Sequence, residues 1–131
     1  MLYTKSILKD KDKSDGVRIS VMSRHTLEDG ITTHPLINKD SYDEWLKILA
    51  PTDFLVGNYY KIGFGWDLFS IEYLEEIREG EKKIEVEKLA MRSLKEDITL
   101  LCIEPSPERC HRRLLAEECA RYLPQIEVVH R

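Results

Sequence analysis

The sequence predicts an α/β fold: a single three-layer domain over residues 1–131, built on a mostly parallel, Rossmann-like open sheet. Three observations carry this. Ile98-Thr-Leu-Leu-Cys-Ile103 is a short, continuous apolar run of the kind found in strands covered on both faces. A helical pattern follows it, from Leu114 to Leu123, and a second apolar run, Ile126 to Val129, comes directly after Pro124. Strand, helix, strand with short joins implies a right-handed parallel crossover.

The other elements are read in chain order. Leu2 to Leu8 alternates loosely enough for a short edge strand, and Lys9 to Gly16 is a polar turn. Val17 to Met22 is a better strand. A connection containing Ser23, Arg24, His25 and Pro35 then leads to Ser41-Tyr-Asp-Glu44, whose spacing is that of a capping box, so a helix is expected from Tyr42 to Leu49 and a stop at Ala50-Pro51. Asn58 to Gly65 is an aromatic and glycine-rich passage, with a turn expected at Gly63-Phe-Gly65. Helical spacing resumes from Trp66 to Arg78 and again from Ile84 to Leu94. Ser106 followed by Pro107 reads as an N-cap and first helical residue, which starts the last helix at Pro107.

Composition bounds the function. With 20 Lys and Arg against 24 Asp and Glu the chain carries a formal charge of −4, so it lacks the global positive field that favours nucleic acid, though a local basic patch remains open. At 42% hydrophobic residues it can form a core without disulfides or a structural metal. Charged residues make up 34%, with both signs interleaved from Glu79 to Lys88, as on a solvated surface. No apolar run suits a membrane span or signal peptide, and three cysteines without framework spacing suit a reducing compartment, so a cytoplasmic location is expected.

In an open parallel sheet ligands collect beyond the carboxyl ends of the strands. Two such ends are visible, Ser23-Arg24-His25 and the segment from Cys102 through Glu104 to Cys110-His111-Arg112-Arg113. With His111 set at 0° and about 100° per residue, Tyr122, Leu115, Cys119, Leu123 and Ala116 define a buried stripe centred at about 80°. Arg112, at about 100°, points into that stripe, His111 lies beside it, and Arg113, at about 200°, faces water. A guanidinium aimed inward keeps its proton and needs a carboxylate, carbonyls or a bound anion; Glu104 is the nearest internal candidate.

Each candidate also has a plainer reading. Cys102 is either a small buried hydrophobe or a nucleophile or ligand, whereas Cys110, at a helix N-terminus beside His111 and Arg112, is placed for a reactive or ligating role. Cys119 is core. His111 is a general base, a ligand or a packed cap; Glu104 is an acid or base, or only the partner of Arg112. Arg24 is an anion ligand or an ordinary loop residue, as is His25. Tyr59, Tyr60 and Lys61 flank a ligand or pack and snorkel. The cysteine-phosphatase loop, Walker loop, paired-histidine zinc helix, Cys-x-x-Cys and Gly-x-Ser-x-Gly elbow are all absent. Cys102, Cys110 and His111 give three possible metal ligands, short of a closed zinc site unless Glu104 or His25 joins, so no metal site is assigned.

Leu101-Cys-Ile-Glu104 followed by Pro107-Glu-Arg-Cys-His-Arg-Arg-Leu-Leu-Ala-Glu-Glu118 resembles the C-terminal signature of the domain of unknown function 488 family, in which a strand ending in Cys-x-Glu runs through a short loop into Cys-His-Arg on a helix. Asp15-Gly16-Val17-Arg18, Asp43-Glu44-Trp45-Leu46 and Tyr60-Lys61 extend the likeness more weakly over most of the chain. The resemblance implies a small cytosolic α/β protein, often prokaryotic, with no assigned activity. After the second strand, where members often carry Asp-Arg or Asp-x-Arg and Trp-Pro-Arg, this chain has Met22-Ser-Arg-His25, in which Arg24 keeps an arginine.

The expectation is a small enzyme acting on an anionic, phosphorylated or nucleotide-like molecule. Arg112 and Arg24 would hold the anion, His111 and Glu104 would move protons, and Cys102 or Cys110 would be the nucleophile. The alternatives are a noncatalytic module binding an anion or nucleic acid, and an interaction scaffold in which Glu104 and Arg112 lock strand to helix. No cofactor is named.

Overall fold

The computed structural model describes residues 1–63 and 65–131. Phe64, in the middle of the turn expected at Gly63 to Gly65, lies outside the described residues. Five parallel strands, β1 (Leu2–Ser6), β2 (Val17–Ser20), β3 (Glu44–Trp45), β4 (Ile98–Cys102) and β5 (Val128–His130), form one open sheet in the order β3-β2-β4-β1-β5. Among the described residues, four helices, α1 (Asp53–Lys61), α2 (Trp66–Ile77), α3 (Gly80–Ser93) and α4 (His111–Tyr122), complete the α/β domain. Among the described residues no helix is long and apolar enough to cross a membrane.

β4 lies at the centre because its run is apolar on both faces, and all five of its residues are buried. Its alternation divides the core. Ile98 and Leu100, with Leu2 and Ile19, join the cluster that holds Leu55, Phe69, Tyr73, Leu89 and Leu115 from the four helices. Thr99 and Leu101 point the other way: the Thr99 hydroxyl donates to the Asp15 carbonyl, and Leu101 packs with Ile7, Met22 and Ile37. One face of the sheet is therefore covered by helices and the other by the segments 7–16 and 21–43. Under the loop layer, Asp15 accepts hydrogen bonds from Lys5 and Arg18.

The sheet order makes the chemistry local. The connections after β1 and β2 cover one face, whereas α4, which follows β4, packs on the other against β1, β4 and β5. The carboxyl end of β4 lies between strands whose continuations diverge from its own, the crevice where such sheets bind ligands.

Four expectations change. The first strand is not an edge, because β5 pairs on its outer side and β4 on its inner side. Residues 42–49 form β3 and a 3-10 turn, Lys47–Leu49, and not a helix. The capping box is overridden because its groups are used across the sheet: the Asp43 amide donates to the Arg18 carbonyl, the Asp43 carboxylate accepts the Arg18 amide, and the Leu46 amide donates to Ser20. Tertiary pairing outweighs a local cap. The passage before Gly63 contains α1, started by the Thr52 hydroxyl accepting the Leu55 amide. Finally, α4 starts at His111 with Cys110 as N-cap, not at Pro107, because the Glu108 amide bonds the Ser106 hydroxyl and the Cys110 amide bonds the Pro107 carbonyl in a separate turn.

Candidate functional site

The displaced helix start puts His111 and Arg112 in the first turn of α4, directly against the end of β4. Both are buried, Arg112 fully and His111 to 8% exposure, so the inward projection holds, and Arg113 reaches outward to Glu117. Cys102 ends β4 and Cys110 precedes α4, which brings four of the six expected site residues into one cluster: Cys102, Cys110, His111 and Arg112.

His111 is held at both ends. Its Nε2 lies 2.7 Å from the Val21 carbonyl, which can only accept, so Nε2 carries a proton. In the neutral ring Nδ1 is then the acceptor, and it faces Cys102 Sγ at 3.8 Å. The Tyr73 ring meets the imidazole edge-on at 5.5 Å, and its hydroxyl is anchored on the Leu49 carbonyl. The arrangement is sulfur, base and orienting carbonyl in a line.

The sulfurs differ. The Cys102 thiol is held below the ordinary cysteine range, first by a hydrogen bond from Cys110, then by the Arg112 guanidinium and the amides of Glu104 and Ile103, all against burial. Burial pushes the Cys110 thiol well up, and its bond to Cys102 adds to this. Of the two candidate nucleophiles, Cys102 is the one whose surroundings favour ionisation, and Cys110 the one whose surroundings oppose it.

Arg112 Nη1 donates to the main-chain carbonyl of Glu104 at 2.8 Å, not to its carboxylate as expected. The carboxylate accepts instead from the exposed Tyr60 hydroxyl at 2.9 Å. The switch follows from the turn after β4, which brings the Glu104 carbonyl to the guanidinium. Among the described residues, Arg112 Nε and Nη2 are buried with no hydrogen-bond partner. These two donors share one edge of the guanidinium and form its side-on fork for paired oxygens.

Arg24 is not brought into the cluster. It is exposed, with its guanidinium against Gly30, and among the described residues no hydrogen bond or ion pair joins it to the other five. The donor atoms of Cys102, Cys110 and His111 lie within 4.8 Å of one another. Glu104 and His25, the two possible fourth ligands, are engaged elsewhere, with Tyr60 and with the Ser20 hydroxyl. A hollow on the loop between β4 and α4 is lined by Glu104, Pro105, Ser106, Glu108 and Arg109 and by none of Cys102, Cys110, His111 and Arg112, and a second lies between α2, α3 and α4 beside Arg78 and Arg121. The second shares no lining residue with the cluster, and its arginines are already paired with Glu118. The sequence signals missed the Val21 carbonyl and the Tyr73 hydroxyl, the first because a main-chain group has no sequence signature, the second because Tyr73 reads as core.

Comparison with curated proteins and with solved structures gave no match. A family model described as the active DUF488-N3 subclade matches residues 2–122, nearly the whole chain and all of the Cys-x-Glu to Cys-His-Arg segment. The chain belongs to this subclade of the domain of unknown function 488 family.

Proposed function

We propose that this chain is an enzyme in which the Cys102 thiolate attacks an anionic small molecule, phosphorylated or nucleotide-like, held by Arg112. The observation that carries the proposal is the fully buried guanidinium with Nε and Nη2 unpartnered beside a sulfur. A buried charge with two idle donors is costly unless an anion completes it, and a carboxylate or phosphate edge matches the fork.

Each group then has a task. His111 Nδ1 takes the Cys102 proton, which leaves the thiolate to supply the electron pair, and the imidazolium returns that proton to the leaving group. The main-chain amides of the first turn of α4 add positive dipole beside Arg112. The Glu104 carboxylate is taken by the Tyr60 hydroxyl, so Glu104 is a positioning residue in place of a proton carrier. Cys102 is only 5% exposed, so a substrate must displace its cover to reach it.

A structural reading has one observation in its favour: the Arg112 bond to the Glu104 carbonyl ties the end of β4 to α4. Alkylation separates the two. Iodoacetate and iodoacetamide are compared at equal concentration, with peptide masses locating the label. The enzyme reading expects Cys102 to be labelled, faster by the anionic reagent, and inorganic phosphate to protect it. An unlabelled Cys102, or labelling indifferent to both charge and phosphate, overturns it.

A further inference from the structure

Cys110 is the one member of the cluster without a task in that chemistry. Its Sγ lies in the same 4.8 Å group as Cys102 Sγ and a ring nitrogen of His111. Both thiols are free. The third cysteine, Cys119, is set apart in mid-helix, with its Sγ 3.9 Å from the Val86 carbonyl. The two sulfurs also sit at opposite ends of one loop, residues 103–109, whose turns are held by side-chain contacts from Ser106 and Arg113 and not by sheet pairing.

We propose that Cys102 and Cys110 form a dithiol-disulfide couple, oxidised by a small hydroperoxide at Cys102 and resolved by Cys110. In the first step the Cys102 sulfur attacks the terminal peroxide oxygen: an S–O bond forms, the O–O bond breaks, and the alkoxide or hydroxide leaves and takes up a proton. Cys102 becomes a sulfenic acid. In the second step the Cys110 sulfur attacks that sulfur; an S–S bond forms, the S–O bond breaks, and the departing hydroxide takes the Cys110 proton to leave as water. The two thiols lose two electrons together and the peroxide gains them. Burial selects the oxidant, because Cys102 and Cys110 are 5% and 3% exposed and admit a reagent of water-like size before a bulky one. The couple shares the Cys102 thiolate with the proposed function and does not depend on an anion at Arg112.

The test is hydrogen peroxide on the native chain, followed by denaturing alkylation and peptide mapping. Alkylatable thiols should fall from three to one, with Cys119 remaining, and a Cys102–Cys110 linked peptide should appear that a dithiol reductant removes. In Cys110→Ser, dimedone should trap the sulfenic acid on Cys102, and excess peroxide should carry it on to the sulfinic acid. A wild-type protein that stops at sulfenic or sulfinic acid with Cys110 still alkylatable overturns the couple, as does a link to Cys119. The linked-peptide readout needs no variant. If iodoacetate labels Cys102 while peroxide leaves all three thiols free, the couple fails and the nucleophile reading stands.

Discussion

Replacing Arg112 with methionine removes the charge while keeping most of the side-chain length, and the two readings of this residue diverge on it. In the unliganded protein the guanidinium makes one charged hydrogen bond, to Glu104, a contribution of about 1.5–3 kcal/mol. Its idle Nε and Nη2 each cost about 1–3 kcal/mol. The substitution loses the first and relieves the second, about 2–6 kcal/mol in all, so Arg112→Met should fall between about 1 kcal/mol less stable and about 4.5 kcal/mol more stable than wild type, as when a buried ion gives way to apolar packing. The ligand response should change far more. Inorganic phosphate at about 100 times its dissociation constant stabilises the wild type by about 2.7 kcal/mol. For a chain of 131 residues that raises the melting temperature by about 8 °C, at roughly 3 °C per kcal/mol. Thermal unfolding in phosphate, against chloride at equal ionic strength, should show this rise in wild type and none in the variant. A variant destabilised by more than about 4 kcal/mol, together with a wild type that phosphate does not raise, would make Arg112 a structural lock and refute the anion site.

Three further outcomes follow from the fold. Asp15 is fully buried among Lys5, Arg18 and Arg131, so Asp15→Asn should cost about 3–5 kcal/mol in urea unfolding by leaving the cations uncompensated; a loss under about 1 kcal/mol would contradict the network. Hydrogen bonds from Arg121 and then Arg78 hold the Glu118 carboxyl down to about 2, from an ordinary 4.5, so its contribution is present above pH 4.5 and lost as pH falls from there toward 2. Because those arginines are 64% and 45% exposed the loss should be about 1–2 kcal/mol, and Glu118→Gln should flatten that part of the stability profile; a profile unchanged by the variant would show that Glu118 contributes nothing there. At Gly16, with φ +63°, a Cβ would stand 2.1 Å from the Asp97 carbonyl oxygen, so Gly16→Ala should lower stability by more than about 2 kcal/mol in denaturant melts; a neutral effect would mean that the backbone yields freely there.

Periodicity was legible wherever packing is local. The apolar run of β4 and the 3.6-residue stripe of α4 fixed the central strand and turned Arg112 inward, because those signals depend only on neighbours in the chain. Signals that compete with tertiary bonds misled. Ser41 to Glu44 has the spacing of a helix start, yet Arg18 and Ser20 take its main-chain groups into the sheet. α1 was hidden by Gly57 and Asn58, which weaken its pattern, and by Pro51, which reads as a stop although Thr52 after it is a cap. At the site, side-chain identities were visible and main-chain partners were not. Pairing Arg112 with the Glu104 carboxylate is sensible from composition, and only the turn after β4 substitutes the carbonyl and sends the carboxylate to Tyr60. Arg24 follows a strand end, but its loop carries it outward to Gly30.

The central claim is that Arg112 keeps an edge free for an oxyanion beside Cys102. A crystal structure with inorganic phosphate bound tests it most directly. Two phosphate oxygens should lie within about 2.7–2.9 Å of Arg112 Nε and Nη2, on the Cys102 side of the guanidinium. Phosphate bound only at the Arg78 and Arg121 surface, with the Arg112 fork closed by protein carbonyls, would contradict the account.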